Sequence, residues 1–312
     1  MIEIKHAEAG RRKPSLAAGI EPVFLEGVSW RGKPARIFAY LGRPAGEGRH
    51  PAILLIHGGN GRAYDDWVKM WTERGFVALA PDLNAQMYGS EGDFTPNPAG
   101  GPKGYGSFDK EPCALEDTWT AFSVNLLCEC AAWLHFREDV DLTKLFVHGI
   151  SWGGYLTYLL LGRCRLFALA GVSYTTAYLY RDGYWIDAGL NEGQMGANYR
   201  RWIEQLDPAE SIGWITTPTV WARGINDAAF STGLVNDTLD LFRPGIVTPV
   251  FYPEYQHSQE HGCSIPEIVS AIEEAAFGGE DPGSEAVYSV VYTCGRGKNL
   301  RDWIWTEEPV SA

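Results

Sequence analysis

Residues 149–153 read Gly149-Ile150-Ser151-Trp152-Gly153, a G-x-S-x-G pentapeptide set between two apolar runs. The run over residues 144–148 predicts a buried strand, and the run over 154–161 predicts a buried helix. A strand that turns into a helix at one residue leaves its serine on a sharp corner, with Oγ presented at the top of a sheet. Glycines on either side remove the side chains that would collide there. The same five residues closing an ordinary tight turn would not need that flanking strand and helix.

The rest of the chain repeats the alternation. Apolar runs at 51–56, 76–80, 167–172, 218–222 and 249–252 predict further strands, and spacings at 63–74, 115–138, 234–242 and 265–276 predict helices. The run at 51–56 is continuous, as in a strand covered on both faces of a parallel sheet. Strands alternating with helices predict an α/β fold with a doubly wound, mostly parallel sheet. Two strands at 22–30 and 35–41 join through Arg31-Gly32-Lys33, and residues 1–20 are expected to be irregular. Residues 84–113 form a long Gly- and Pro-rich loop, of a length that is often functional. Residues 174–217 break the alternation and predict an aromatic-rich lid insertion. The main domain is thus expected over 1–277, with a short C-terminal β-hairpin extension over 278–312.

A length of 312 residues suits one large domain, and the formal net charge of −13 opposes binding to nucleic acid or anionic membranes. No stretch reaches the ~18 apolar residues of a membrane span. No apolar leader is visible at the N-terminus, so the chain as it stands is expected to be cytoplasmic, or secreted if a signal peptide has been removed. The six cysteines show no zinc-binding spacing, and no metal or cofactor is expected.

A serine hydroxyl is a weak nucleophile near neutral pH. It needs a histidine to take its proton, an acid to orient that histidine, and donors to hold the oxyanion. After Ser151 the chain offers an acid and then a base, each just beyond a predicted strand. Asp227, in Gly224-Ile225-Asn226-Asp227, is the candidate acid, with Asp237 as runner-up. His257 is the candidate base, with His261 as runner-up. The oxyanion donors are expected to be the backbone amides of Trp152, after the nucleophile, and of Gly59 and Asn60 in the turn His57-Gly58-Gly59-Asn60-Gly61. His57 itself reads as structural. Tyr88 in the long loop and Trp185 in the insertion are the candidate substrate contacts, because both segments leave the sheet at carboxyl ends of strands.

With these residues in place, the chain over residues 20–277 resembles the α/β-hydrolase superfamily. The run from His57 to Gly61, followed by Trp67-Val68-Lys69-Met70-Trp71 and Arg74-Gly75-Phe76, is more specific. With Gly154-Tyr155 after the pentapeptide and Gly224 to Asp227, it is similar to the acetylxylan esterase and dienelactone-hydrolase-like branch near the prolyl oligopeptidases. That branch uses serine or cysteine as nucleophile, and serine stands here. The resemblance implies a serine carboxylesterase acting through an acyl-enzyme on a small-molecule or carbohydrate ester, with a peptidase as the alternative.

Two other classes compete. His257-Ser258-Gln259-Glu260-His261 matches H-x-x-E-H, a zinc-hydrolase pattern in which two histidines bind the metal and the glutamate is the base. Gly262 and Pro266 behind it, and the strand before it, argue for a loop instead. A non-catalytic hydrolase-like binding protein would be expected to have lost part of the Ser151, Asp227, His257 set.

Overall fold

The computed structural model describes residues 2–7, 16–89, 92–104 and 113–278. At its centre is a nine-stranded sheet. In chain order the strands are β1 (Glu3–His6), β2 (Ile20–Glu26), β3 (Ile37–Gly42), β4 (His50–Ile56), β5 (Val77–Pro81), β6 (Val140–Ile150), β7 (Leu169–Ser173), β8 (Thr219–Gly224) and β9 (Val247–Tyr252). Their spatial order is β1-β2-β3-β5-β4-β6-β7-β8-β9. The first three strands run antiparallel to their neighbours, and β4 through β9 pair with one another in parallel. This is the doubly wound, mostly parallel sheet that the alternation predicts.

Parallel central strands are covered on both faces, which is why β4 could be read as an unbroken apolar run. Ile53, Leu54, Leu55 and Ile56 are all buried. Helices α1 (Asp65–Thr72) and α4 (Pro266–Phe277) share one face, where Phe76 meets Phe277 edge-on and Arg74 pairs with Glu273. Helices α2 (Trp119–His135) and α3 (Trp152–Leu161) cover the other and are buried along most of their length. Thr118 caps α2 by accepting from the Ala121 amide.

Three expectations need correction. Residues 3–6 form edge strand β1 rather than irregular chain. Its alternation of Glu, Ile, Lys and His is polar because an edge strand meets solvent on one side. The run 22–30 is not one strand: β2 ends at Glu26, and Ser29–Trp30 forms a small ribbon with Lys33–Pro34. The loop over 84–113 is not structureless, since Gln86–Tyr88 pairs with Phe94–Pro96. The segment between β7 and β8 is built of short helices, Gly183–Asp187, Glu192–Met195, Ala197–Gln205 and Ala209–Ile212. The hairpin expected over 278–312 lies outside the described residues. No described helix is long and apolar enough to cross a membrane.

Candidate active site

Ser151 sits where β6 ends and α3 begins, with φ 57° and ψ −117°. A non-glycine residue in that region costs about 1–3 kcal/mol and survives only where its surroundings hold it. Here the Ser151 amide donates to the Ser173 carbonyl at 2.8 Å, and the Ser151 carbonyl accepts from the Tyr155 amide at 2.9 Å. The glycines of the pentapeptide are required by close approach. A Cβ on Gly153 would lie 2.0 Å from the Ile56 carbonyl oxygen, and one on Gly149 would lie 2.1 Å from Thr157 Oγ1. Gly153→Ala is therefore expected to push α3 off the end of β4. A fall in melting temperature together with loss of activity would show it; a wild-type melting curve would count against this account of the corner.

Asp227 and His257 follow the carboxyl ends of β8 and β9, the same end of the sheet as Ser151. His257 Nε2 is 2.8 Å from Ser151 Oγ, and His257 Nδ1 is 2.9 Å from Asp227 Oδ2. Asp227 Oδ1 accepts from the amides of Ala229 at 2.9 Å and Phe230 at 3.2 Å. Burial alone would raise the Asp227 pKa. The hydrogen bond and charge of His257, the Ala229 amide and the Arg223 guanidinium outweigh it and hold the carboxyl below its usual range. The His257 ring lies between Tyr174, stacked at 4.3 Å, and Phe230, stacked at 5.7 Å. Tyr174 also donates its hydroxyl to the Gln256 carbonyl at 2.8 Å. Arg223 donates to the Phe230 carbonyl at 2.6 Å from a fully buried position. Neither Tyr174 nor Phe230 is marked by local sequence, because each meets His257 across a chain separation that no motif spans, and nothing local marks Arg223 as a buried donor.

The turn after β4 approaches the serine from the opposite side. A Cβ on Gly58 would meet Ser151 Cβ at 3.4 Å. Among the described residues, the Gly59 and Asn60 amides have no hydrogen-bond acceptor. The Trp152 amide stands at the first position of α3, where helical N–H groups have no intrahelical partner. Behind the turn, buried His57 accepts from the Leu83 amide at 2.9 Å through Nε2 and bonds the Gly58 carbonyl at 2.7 Å through Nδ1. Burial pushes its pKa down to about 4, so near neutral pH the ring is uncharged and Nε2 stays an acceptor.

A cavity of about 320 Å³ joins these groups, lined by Gly59, Asn60, Ser151, Trp152, Trp185 and His257 among others. Trp185 lines it while also meeting Trp152 and Phe230 ring to ring. Tyr184 of the aromatic insertion also lines the wall, as do Tyr64 and Gln259. Tyr88 does not line the cavity. It is buried in the short hairpin, edge-on to Phe94, with its hydroxyl donating to the Gly92 carbonyl at 3.0 Å. The runners-up are engaged elsewhere: Asp237 pairs with Arg181 at 2.7 Å, and His261 Nδ1 lies 2.8 Å from Ser258 Oγ. Both His257 ring nitrogens face Ser151 and Asp227, so the H-x-x-E-H strip does not present its two histidines to a common point.

Residues 113–233 match the prolyl oligopeptidase family, a stretch that contains Ser151 and Asp227 and stops short of His257. The fold is similar to that of acetyl xylan esterase 1 from a Thermoanaerobacterium species, at 18% identity and TM-score 0.67 over 88% of this chain and 87% of that one. It is similar to an acetyl xylan esterase from a Paenibacillus species, at 18% identity and TM-score 0.62 over 88% of each chain. An acylaminoacyl peptidase from Pyrococcus horikoshii is matched at 16% identity and TM-score 0.59 over 87% of this chain but 44% of its own. Comparison with curated proteins yields no match.

Proposed function

For this chain of the α/β-hydrolase superfamily, near the prolyl oligopeptidases, we propose the activity of a serine carboxylesterase that works through an acyl-enzyme. The observation that carries the reading is the continuous relay from Asp227 through His257 to Ser151, at 2.9 and 2.8 Å, facing open amides at Gly59 and Asn60. His257 takes the Ser151 proton as Oγ attacks the ester carbonyl. The amides of Trp152, Gly59 and Asn60 hold the oxyanion. His257 then protonates the departing alcohol, and a water activated by His257 releases the acid. No step requires a metal or an organic cofactor.

One observation favours ester over peptide hydrolysis. The acetyl xylan esterases are matched along most of their own length, whereas the peptidase is matched over less than half of it. The aromatic wall of Trp185 and Tyr184 suits a ring-bearing alcohol such as an acetylated sugar. A panel of p-nitrophenyl esters, acetylated sugars and aminoacyl peptides tests the assignment. Short acyl esters should turn over fastest, a fluorophosphonate probe should label Ser151, and chelators should leave the rate unchanged. Faster cleavage of the peptides would favour the peptidase reading. Loss of activity with a chelator, restored by zinc, would return attention to the His257, Glu260 and His261 strip.

A further inference from the structure

We propose that Asn84 is a positioning residue of this reaction: it clamps the peptide between Gly59 and Asn60 in the orientation that turns the Asn60 amide toward Ser151. The inference rests on Ser151 being the nucleophile.

Asn84 is buried, and its Nδ2 donates to two carbonyls of the glycine turn, Gly59 at 2.7 Å and Gly61 at 2.7 Å. Both partners are acceptors, so only the amide nitrogen can face them. A trans peptide is planar, and its C=O and N–H point in opposite directions. Drawing the Gly59 oxygen down onto Asn84 therefore turns the Asn60 N–H away from Asn84. Asn60 lines the cavity with Ser151, and its amide has no acceptor among the described residues.

The turn does not choose this orientation by itself. The Gly61 amide donates to the Gly58 carbonyl at 3.0 Å, which makes residues 58–61 a β-turn with Gly59 and Asn60 at its centre. Rotating the central peptide by half a turn gives the alternative turn, which needs a positive φ at its third residue. Asparagine tolerates that φ better than other non-glycine residues. In the flipped form the Gly59 carbonyl oxygen, the negative end of the peptide dipole, would face the developing oxyanion. Asn60 does not have a positive φ here. Asn84 is the group that selects the productive form, because it bonds the one carbonyl that would have to move.

Asn84 is itself held from below. Its backbone N–H donates to Asp82 Oδ1 at 3.0 Å, and the Asp82 backbone N–H donates to the Phe38 carbonyl of β3 at 2.8 Å. The clamp is thus anchored to the sheet. Gln86 Nε2 also reaches the Gly61 carbonyl, at 3.3 Å, whereas the hydrogen bond to the Gly59 carbonyl comes from Asn84.

Asn84→Ala and the near-isosteric Asn84→Leu, which cannot donate, are compared with Gln86→Ala. The readouts are kcat and KM on p-nitrophenyl acetate, affinity for an alkyl boronic acid that forms a tetrahedral anion on Ser151, and melting temperature. Both Asn84 variants should lose about 10²–10³-fold in kcat, the loss typical of one oxyanion donor, with KM within a few-fold. Boronate affinity should fall in parallel, while Gln86→Ala stays within a few-fold of wild type. Wild-type kcat and boronate affinity in the Asn84 variants would overturn the proposal. So would equal losses in the Gln86 variant, or failure of both Asn84 variants and of Asn84→Ser to accumulate as folded protein, since Asn84 would then be a structural bolt. If the wild-type protein is not labelled by a fluorophosphonate at Ser151, the serine-esterase reading itself fails, a result distinct from unimpaired Asn84 variants.

Discussion

Ser151→Ala should lower kcat by about 10⁶-fold, the loss seen when the nucleophile of such a relay is removed, and should leave the fold in place. The side chain contributes one hydrogen bond, to His257 at 2.8 Å, and lines the cavity rather than the core. The strained backbone at position 151 is held by main-chain bonds to Ser173 and Tyr155, which alanine keeps. The melting temperature should therefore change by only a few degrees. Turnover of p-nitrophenyl acetate and labelling by a fluorophosphonate are the measurements. A variant that retains a sizeable share of wild-type turnover would show that Ser151 is not the nucleophile.

Asp227→Asn should cost on the order of 10⁴-fold in kcat, by forcing the wrong tautomer on His257. One carboxylate oxygen of Asp227 accepts from the Ala229 and Phe230 amides, and the other faces His257 Nδ1. An asparagine must keep its carbonyl oxygen on the two backbone amides, so its NH₂ turns toward His257. Nδ1 then becomes the acceptor and Nε2 carries the hydrogen, pointing at Ser151 Oγ, where it cannot take a proton. Stability should respond differently on the acid side. The Asp227 pKa is lower in the folded protein, so its stabilising contribution is present above the ordinary carboxylate range and is lost as pH falls through the depressed value. Asp227→Asn removes that contribution at neutral pH and flattens that part of the acid-side decline. A kcat within tenfold of wild type would mean that another group orients His257.

Features encoded over a few consecutive residues were legible in the chain. The corner at Ser151 was readable because only glycine fits there: an added Cβ would lie 2.0 Å from Ile56 of the neighbouring strand or 2.1 Å from Thr157 of the following helix. The buried strands were readable because a parallel sheet covered on both faces demands continuous apolar runs. Asp227 and His257 could be nominated because each follows such a run, and the carboxyl ends of parallel strands all lie at one end of the sheet. The same reasoning misplaced Tyr88: an aromatic in a polar loop looks like a pocket wall, but a hairpin turned its ring onto Phe94. It also passed over β1, whose edge position allows a polar strand with no apolar signature.

Tertiary structure alone decided the rest. The rings of Tyr174 and Phe230 that hold His257, and the Asn84 clamp under the glycine turn, bring together residues tens of positions apart. Periodicity records how a segment meets solvent and core, because burial acts on each residue where it stands. A hydrogen bond between distant segments leaves no such periodic trace, since one polar residue in a loop has the same local signature whether it points to water or to Gly59. The amino-acid sequence by itself thus determined the α/β alternation and the strand ends where reactive side chains could gather. Packing of those elements determined which of the candidates meet, at what distance, and which way the amides of the turn face.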